Sequence, residues 1–139
     1  MSESLGFLVN RVASVIRAGF EHELAPHGVT AQQWPVLRLA LELDHPRPSE
    51  MAEAMGIDRG AVTRLIDRLV EKGLVVRAGD PTDLRAARVE LTEKGRTLVP
   101  VLAKIAHTRN EAAVRDLKPS ERTALIRSLK SVLETLNQP

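Results

Sequence analysis

Apolar residues recur every three or four positions in six stretches of the chain, and this spacing predicts six amphipathic helices. Pro26 and Gly28 are expected to end the first helix. Thr30, with Gln33 three positions later, forms a capping-box pattern at the start of the second. The predicted helices cover about residues 5–25, 30–43, 48–55, 58–73, 92–113 and 119–136. Pro100 is expected to bend the fifth helix or to mark a junction within it.

Between the fourth and fifth helices the helical spacing gives way to short apolar and alternating segments. Residues 74–77 and 87–91 are predicted strands, and the turn-forming residues 79–83 predict a β-hairpin between them. This hairpin follows two short helices that are separated only by Gly56-Ile57-Asp58, which is a helix-turn-helix arrangement. The predicted fold class is therefore mainly α with a small β-hairpin wing, a winged helix-turn-helix with additional N- and C-terminal helices.

The chain is interpreted as a single domain, residues 1–139, in which about 30–95 form the winged-helix lobe. The flanking helices, about 5–29 and 96–137, carry apolar faces that a lone helix cannot bury. We expect these helices to pack together and against a second copy in a homodimer. Burial of all these faces within one monomer is the open alternative.

Composition excludes several classes of protein. The chain has no cysteine, which removes disulfide scaffolds, cysteine zinc sites and thiol redox sensing, and 2% aromatic residues argue against stacking of unpaired bases. Since the sequence shows no signal peptide and no membrane span, a cytoplasmic location is expected. The formal net charge is only +2, yet residues 59–88 hold seven basic and four acidic residues. Positive charge is thus concentrated on the second helix of the pair and on the hairpin, where phosphate contacts would be made.

Three segments carry a family resemblance. Residues 50–75 closely match the helix-turn-helix of the MarR/SlyA group of bacterial winged-helix regulators, residues 80–86 with 91–95 resemble its wing, and residues 28–34 resemble the entry to its second helix. The resemblance covers about residues 5–137. It implies a homodimer that binds a pseudo-palindromic operator in double-stranded DNA. It also implies a transcriptional regulator, interpreted as a repressor that a small aromatic or phenolic acid releases.

The predicted DNA contacts lie on the second helix of the pair and on the wing. Arg64 lies opposite the apolar stripe and is the first candidate for a base contact, because a guanidinium binds guanine bidentately. The resemblance implies that Arg85 enters the minor groove and that Asp83 orients it. The alternative is an ordinary solvated arginine at Arg64 and a charged hairpin tip without contacts at the wing. Gly60 could be simply tolerated in the first turn, and Arg68 could instead pair with Asp67 or Glu71. The predicted DNA-binding residues are Arg59, Gly60, Thr63, Arg64, Arg68, Asp83, Arg85 and Arg88.

The sequence contains no motif for catalysis, so an enzyme, a cofactor and a metal site are not expected, and the four histidines are interpreted as isolated. The resemblance implies an effector pocket, for which Arg11, Arg17, His27 and Trp34 are candidates. The alternative is that Trp34 belongs to the hydrophobic core and that both arginines are solvated. Two other functions stay open: an architectural protein that binds DNA with little sequence preference, and a winged-helix module that binds protein rather than DNA.

Overall fold

The computed structural model describes residues 3–80 and 83–139, with side chains described outside positions 80–86. Over these residues the chain forms six α-helices and one antiparallel hairpin, which confirms the predicted fold class. The elements are α1 (Leu5–Leu24), a 3₁₀ turn (Ala25–His27), α2 (Trp34–Glu42), α3 (Pro48–Met55), α4 (Arg59–Glu71), β1 (Val75–Asp80), β2 (Asp83–Leu91), α5 (Glu93–Ala113) and α6 (Pro119–Leu136). The chain divides into two compact units, Met1–Ala106 and His107–Pro139.

The helix ends follow the predicted capping chemistry. Gly28 and Gly56 adopt left-handed φ angles of 71° and 68°, a conformation that favours glycine because it lacks Cβ. Asp58 Oδ1 accepts the backbone N–H of Ala61 at 2.8 Å, so the predicted N-cap of α4 is confirmed. Thr92 Oγ1 likewise accepts from Gly95 N at 3.0 Å at the start of α5. Helix α5 then continues through Pro100.

The start of α2 differs from its prediction. Thr30 and Gln33 form the reciprocal pair expected of a capping box, because Thr30 N donates to Gln33 Oε1 and Gln33 N donates to Thr30 Oγ1, each at 3.2 Å. The regular helix nevertheless begins only at Trp34, and residues 31–33 form a turn. Pro35 explains the difference, since it has no N–H to donate to the carbonyl of Ala31.

The hairpin is longer than predicted. The alternating pattern predicted strands of about four and five residues, whereas β1 and β2 contain 6 and 9 residues and include much of the predicted turn. Val75 pairs with Leu91 and Arg77 with Val89, while the register shifts between Ala78 and Asp80. The backbone of Val89 also donates to the carbonyl of Pro46 at 2.9 Å. The root of the hairpin is therefore attached to the loop that precedes α3.

The core of the first unit contains most of the apolar positions that the helical spacing placed inward. Trp34 is among them at 8% exposure, while Val62, Ile66 and Leu69 of α4 are fully buried. Gly95 in the first turn of α5 lies against the main chain that follows α4: a Cβ at this position would be 2.2 Å from the carbonyl oxygen of Leu74. This close approach joins the end of α4 to the start of α5.

Two helices keep exposed apolar faces. On α1, seven large apolar side chains are 39–57% exposed; they are Leu5, Phe7, Leu8, Val9, Val12, Val15 and Ile16. On α6, five are 38–74% exposed; they are Leu125, Ile126, Leu129, Leu133 and Leu136. Each of these two faces is thus exposed over much of its length. Within the described ranges, no helix combines the length and the apolar character needed to cross a membrane.

We expect Gly95→Ala to destabilise the protein by about 1–3 kcal/mol, because the added methyl group would force the Leu74 carbonyl to move. Gly6→Ala is the matched control: Gly6 also lies in a helix, and the nearest atom to its added Cβ is 4.0 Å away. The control should be neutral or stabilising by up to about 1 kcal/mol, owing to the higher helix propensity of alanine. Urea unfolding measures both. A stabilising Gly95→Ala would contradict the close approach.

Candidate nucleic-acid interface

Helix α4 has one buried face and one exposed face. Val62, Ile66 and Leu69 are buried in the core, and Leu65 is half-buried beside them. Because these residues fix the rotation of the helix about its axis, the opposite side faces outward. The predicted contact residues Gly60, Thr63, Arg64 and Arg68 are exposed on that side, whereas Arg59 is exposed at the first position of the helix, nearer the side of Ile66. The structure thus brings four of these sequence-predicted residues together on one surface, with Arg59 exposed separately at the start of α4.

Three exposed guanidinium groups of α4 have no partner among the described residues. Arg59, Arg64 and Arg68 take part in none of the hydrogen bonds or ion pairs of this part of the chain. Asp67 is on the same helix, but its carboxylate pairs with Arg77 of β1. Exposed guanidinium groups without a partner remain available for phosphate and base-edge contacts.

Thr63 and Gly60 shape the first two turns of this surface. The hydroxyl of Thr63 donates to the carbonyl of Arg59 at 2.9 Å, so only its oxygen lone pairs remain for a further contact. A Cβ on Gly60 would lie 3.1 Å from Asp58 Oδ1 and 3.4 Å from Arg64 Nη1. The guanidinium of Arg64 therefore extends back over the first turn of α4, where the missing side chain of Gly60 leaves room for it.

Three other basic residues between positions 59 and 88 are held by the protein itself. Lys72 Nζ donates to the carbonyl of Gly28 at 2.6 Å and to Gln33 Oε1 at 2.7 Å. Arg77 pairs with Asp67. Arg88 Nη1 donates to the carbonyl of His45 at 2.9 Å. Counting charges along the sequence cannot separate these engaged residues from the unpaired ones.

The ion pair between Asp67 and Arg77 connects α4 to the wing. Arg77 Nη2 also lies 3.5 Å from the carbonyl oxygen of Thr63, so one side chain of β1 contacts two turns of α4. On the other strand, Arg88 lies 4.0 Å from Glu50 of α3. These contacts attach both strands of the wing to the helix pair. The side chains of the predicted wing residues Asp83 and Arg85 lie outside the described residues, and both positions belong to β2.

A cavity of about 710 Å³ lies behind the exposed face of α4, within the first unit. Arg17 of α1 lines it, together with Arg64 and Arg68 of α4. The remaining lining residues are uncharged: Thr30, Ala31, Gln32, Gln33, Pro35, Met55, Ile57, Ala61 and Leu65. Gln33 is only 5% exposed, and its carboxamide oxygen is held by Lys72 and Thr30.

The four predicted effector residues do not share this cavity. Arg17 lines it, whereas His27 lines a separate groove of about 590 Å³ beside the start of α5. Trp34 is buried in the core, and Arg11 is exposed on α1. The sequence had identified Gln33 only as a helix-capping residue, and Lys72 only as part of the basic segment. Across residues 3–80 and 83–139, no group of three His, Asp or Glu side chains has the arrangement to hold a metal ion.

Comparison with known proteins identifies this architecture. The model of the MarR family matches residues 27–86. A mutant MarR from E. coli in complex with operator DNA is 31% identical with a TM-score of 0.85, and the matched region covers 93% of this chain and 93% of that MarR. CouR from Rhodococcus jostii bound to p-coumaroyl-CoA is 29% identical with a TM-score of 0.85, over 94% of this chain and 92% of CouR. The DNA binding of BpsR from Bordetella bronchiseptica is regulated by 6-hydroxynicotinic acid. BpsR is 29% identical with a TM-score of 0.86, over 95% of this chain and 94% of BpsR. The chain belongs to the MarR family of transcriptional regulators.

Proposed function

We propose that this protein is a homodimeric, sequence-specific regulator that binds double-stranded DNA and represses transcription until a small aromatic acid releases it. The observation that carries the DNA-binding part is the set of three exposed and unpaired guanidinium groups of α4, Arg59, Arg64 and Arg68. A helix of this kind, second in a helix-turn-helix, enters the major groove with its N-terminal residues toward the bases. The operator complex of the E. coli relative supports the same use of the fold.

Each proposed contact residue has a distinct role. Arg64 reads a base edge, because its guanidinium lies over the N-terminal turn of α4. Arg59 and Thr63 contact phosphates, and Arg68 adds a contact one turn further along the helix. Gly60 lets the helix backbone approach DNA closely. On the wing, Arg85 enters the minor groove and Asp83 orients it. Arg88 keeps its hydrogen bond to the carbonyl of His45 and lies beside the DNA backbone.

The exposed apolar faces of α1 and α6 support the homodimer. Together these faces present twelve large apolar side chains, far more than the isolated exposed residues of an ordinary monomer surface. A two-fold dimer would also place two copies of α4 on one face of the duplex, about 34–36 Å apart, which matches successive major grooves. The same two-fold geometry would therefore serve both dimerisation and the recognition of a pseudo-palindrome.

The cavity behind α4 supports control by an effector. It combines an apolar wall with the guanidinium of Arg17, and its volume lies within the usual range for small-molecule sites. CouR binds p-coumaroyl-CoA and BpsR responds to 6-hydroxynicotinic acid, both derivatives of aromatic acids. An effector of this class that binds the DNA-incompetent state more tightly would shift the equilibrium away from the operator.

We expect Val12→Glu to convert the dimer into a monomer at about 10 µM, because a carboxylate at the centre of the apolar face of α1 cannot be buried without a partner. Ser14→Glu, which adds the same charge to an exposed polar position of the same helix, should leave the dimer intact. Sedimentation velocity measures both variants. A parent protein that sediments as a monomer at this concentration would remove the dimer from the proposal.

We expect Arg64→Gln to weaken operator binding about 10- to 100-fold, the loss of one bidentate base contact, and to reduce the slope of log affinity against log salt by about 1. The operator would first be selected from fragments of genomic DNA. Lys72→Met is the control: it removes an equal charge, but one that binds Gly28 and Gln33 internally. It should lower the melting temperature and leave the salt slope unchanged.

The same binding measurements also distinguish the two alternative functions, an architectural DNA-binding protein and a protein-interaction module. Equal affinity of the parent for operator and random duplex would indicate an architectural protein, since specific regulators prefer their site by about 10³ or more. The absence of any salt-dependent binding to duplex would indicate a protein-interaction module. An Arg64→Gln variant with unchanged affinity and selectivity would exclude Arg64 as the base contact.

We expect salicylate, 6-hydroxynicotinic acid or p-coumaroyl-CoA to weaken operator binding at least tenfold at saturation, and Arg17→Gln to shift the half-maximal concentration upward. Salicylamide, which has the shape of salicylate without its negative charge, serves as the control and should have little effect, because the guanidinium recognises the carboxylate. Fluorescence anisotropy of labelled operator measures each titration. If none of the three compounds changes the affinity, an aromatic-acid effector or its acyl derivative is excluded.

A further inference from the structure

One residue outside the proposed DNA-reading surfaces contacts the wing from the loop between α2 and α3. This residue is His45, and the side chains of Arg88 and Glu90 of β2 both bind it. We infer that His45 is a positioning residue for DNA binding, because these two contacts fix the direction in which the wing projects from the helix pair. The inference rests on the proposed DNA-binding function and names the residue on which its wing contact depends.

Three consecutive residues of β2 bind this loop. Arg88 Nη1 donates to the carbonyl of His45 at 2.9 Å. The backbone N–H of Val89 donates to the carbonyl of Pro46, also at 2.9 Å. Glu90 Oε1 lies 2.7 Å from His45 Nδ1, and Nδ1 is the donor because an ionised carboxylate only accepts. Two of the three links thus end on His45, one on its main chain and one on its side chain.

The backbone of His45 adopts a conformation that residues other than glycine rarely take. Its φ is 49°, the only positive φ outside glycine in the part of the chain that the structure describes. Histidine, asparagine and aspartate enter this left-handed region more readily than other residues, yet still at an energetic cost. Such a conformation persists where surrounding contacts hold it, as the three links to β2 do here. The strained residue therefore lies where the loop meets the wing.

The contacts with His45 are made where the regular pairing of the hairpin ends. Arg88 pairs with Ala78 across the strands, and the register shifts immediately beyond, between Ala78 and Asp80. Arg85, which is proposed to enter the minor groove, precedes Arg88 in β2 by three residues, about 10 Å of extended strand. A change in the direction of β2 at Arg88 is therefore carried along the strand to Arg85.

The loop is continuous with the helix pair. Arg47 directly precedes α3, and its backbone N–H donates to Glu50 Oε1 of that helix at 3.2 Å. The same carboxylate oxygen lies 4.0 Å from Arg88 Nη1. His45 thus joins the wing to the first helix of the helix-turn-helix, so that the wing keeps a fixed direction relative to α3.

Alanine and asparagine at position 45 test the two contacts. His45→Ala removes the imidazole and tolerates the left-handed φ poorly, so we expect operator binding to weaken about tenfold, the order of one hydrogen bond. Asparagine tolerates this φ, and its amide nitrogen occupies the place of the imidazole Nδ1. His45→Asn loses only the contact of Nε2 with Asp44 at 3.3 Å, whose side chain is 97% exposed, and should bind within about twofold of the parent. His107→Ala, at an exposed histidine of α5, is the control.

A double-mutant cycle with Arg85→Ala tests whether His45 acts through the wing. The full-length protein is titrated into a labelled operator fragment selected from genomic DNA, and fluorescence anisotropy gives the affinity. Because both substitutions would remove the same wing contact, His45→Ala should cost less than about twofold in the Arg85→Ala background. Hydroxyl-radical footprints of His45→Ala should lose the protected minor-groove sugars, while guanine N7 in the major groove stays protected from methylation.

Two results would overturn the role of His45: equal losses from His45→Ala in the parent and in the Arg85→Ala background, or an asparagine variant as weak as the alanine variant. Urea unfolding checks that each variant folds. Should His45→Ala not fold, Glu90→Ala replaces it in the cycle, because it removes the acceptor of Nδ1 and leaves the loop sequence intact. Unchanged affinity of Arg85→Ala would instead overturn the proposed minor-groove contact. The footprint then decides for His45: lost minor-groove protection supports its role, and retained protection contradicts it.

Discussion

The first turn of α5 lies directly against the main chain that leaves α4, and the placement of both candidate DNA-reading elements depends on this contact. Gly95 allows the approach, because any side chain there would collide with the Leu74 carbonyl. The same carbonyl accepts the backbone N–H of Thr92 at 3.0 Å, and the Thr92 hydroxyl donates to Gly73 at 2.6 Å. The end of α4, both strands of the wing and the start of α5 therefore meet within a few residues. A shift at this junction would move α4 and the wing relative to each other.

Local rules were sufficient to predict most of the fold from the sequence. Periodicity located all six helices, and cap residues such as Gly28, Asp58 and Thr92 set several of their ends to within a residue or two. The exposed face of α4 was also predictable, because a buried apolar stripe at positions 62, 66 and 69 fixes what lies opposite. The two errors came from competing local effects: Pro35 delayed the start of α2, and strand pairing extended the hairpin into its predicted turn.

Long-range pairing of polar groups was not predictable from the sequence. Lys72, Arg77 and Arg88 appear equivalent to Arg59 and Arg64 in a count of charges, yet their partners lie 44, 10 and 43 residues away along the chain. Such partners depend on tertiary packing, for which periodicity gives no information. The same limit applies to the cavity, since Arg17 and Arg68 become neighbours of one space only after α1 and α4 have packed. Trp34, the one aromatic residue proposed for that site, lies in the core instead.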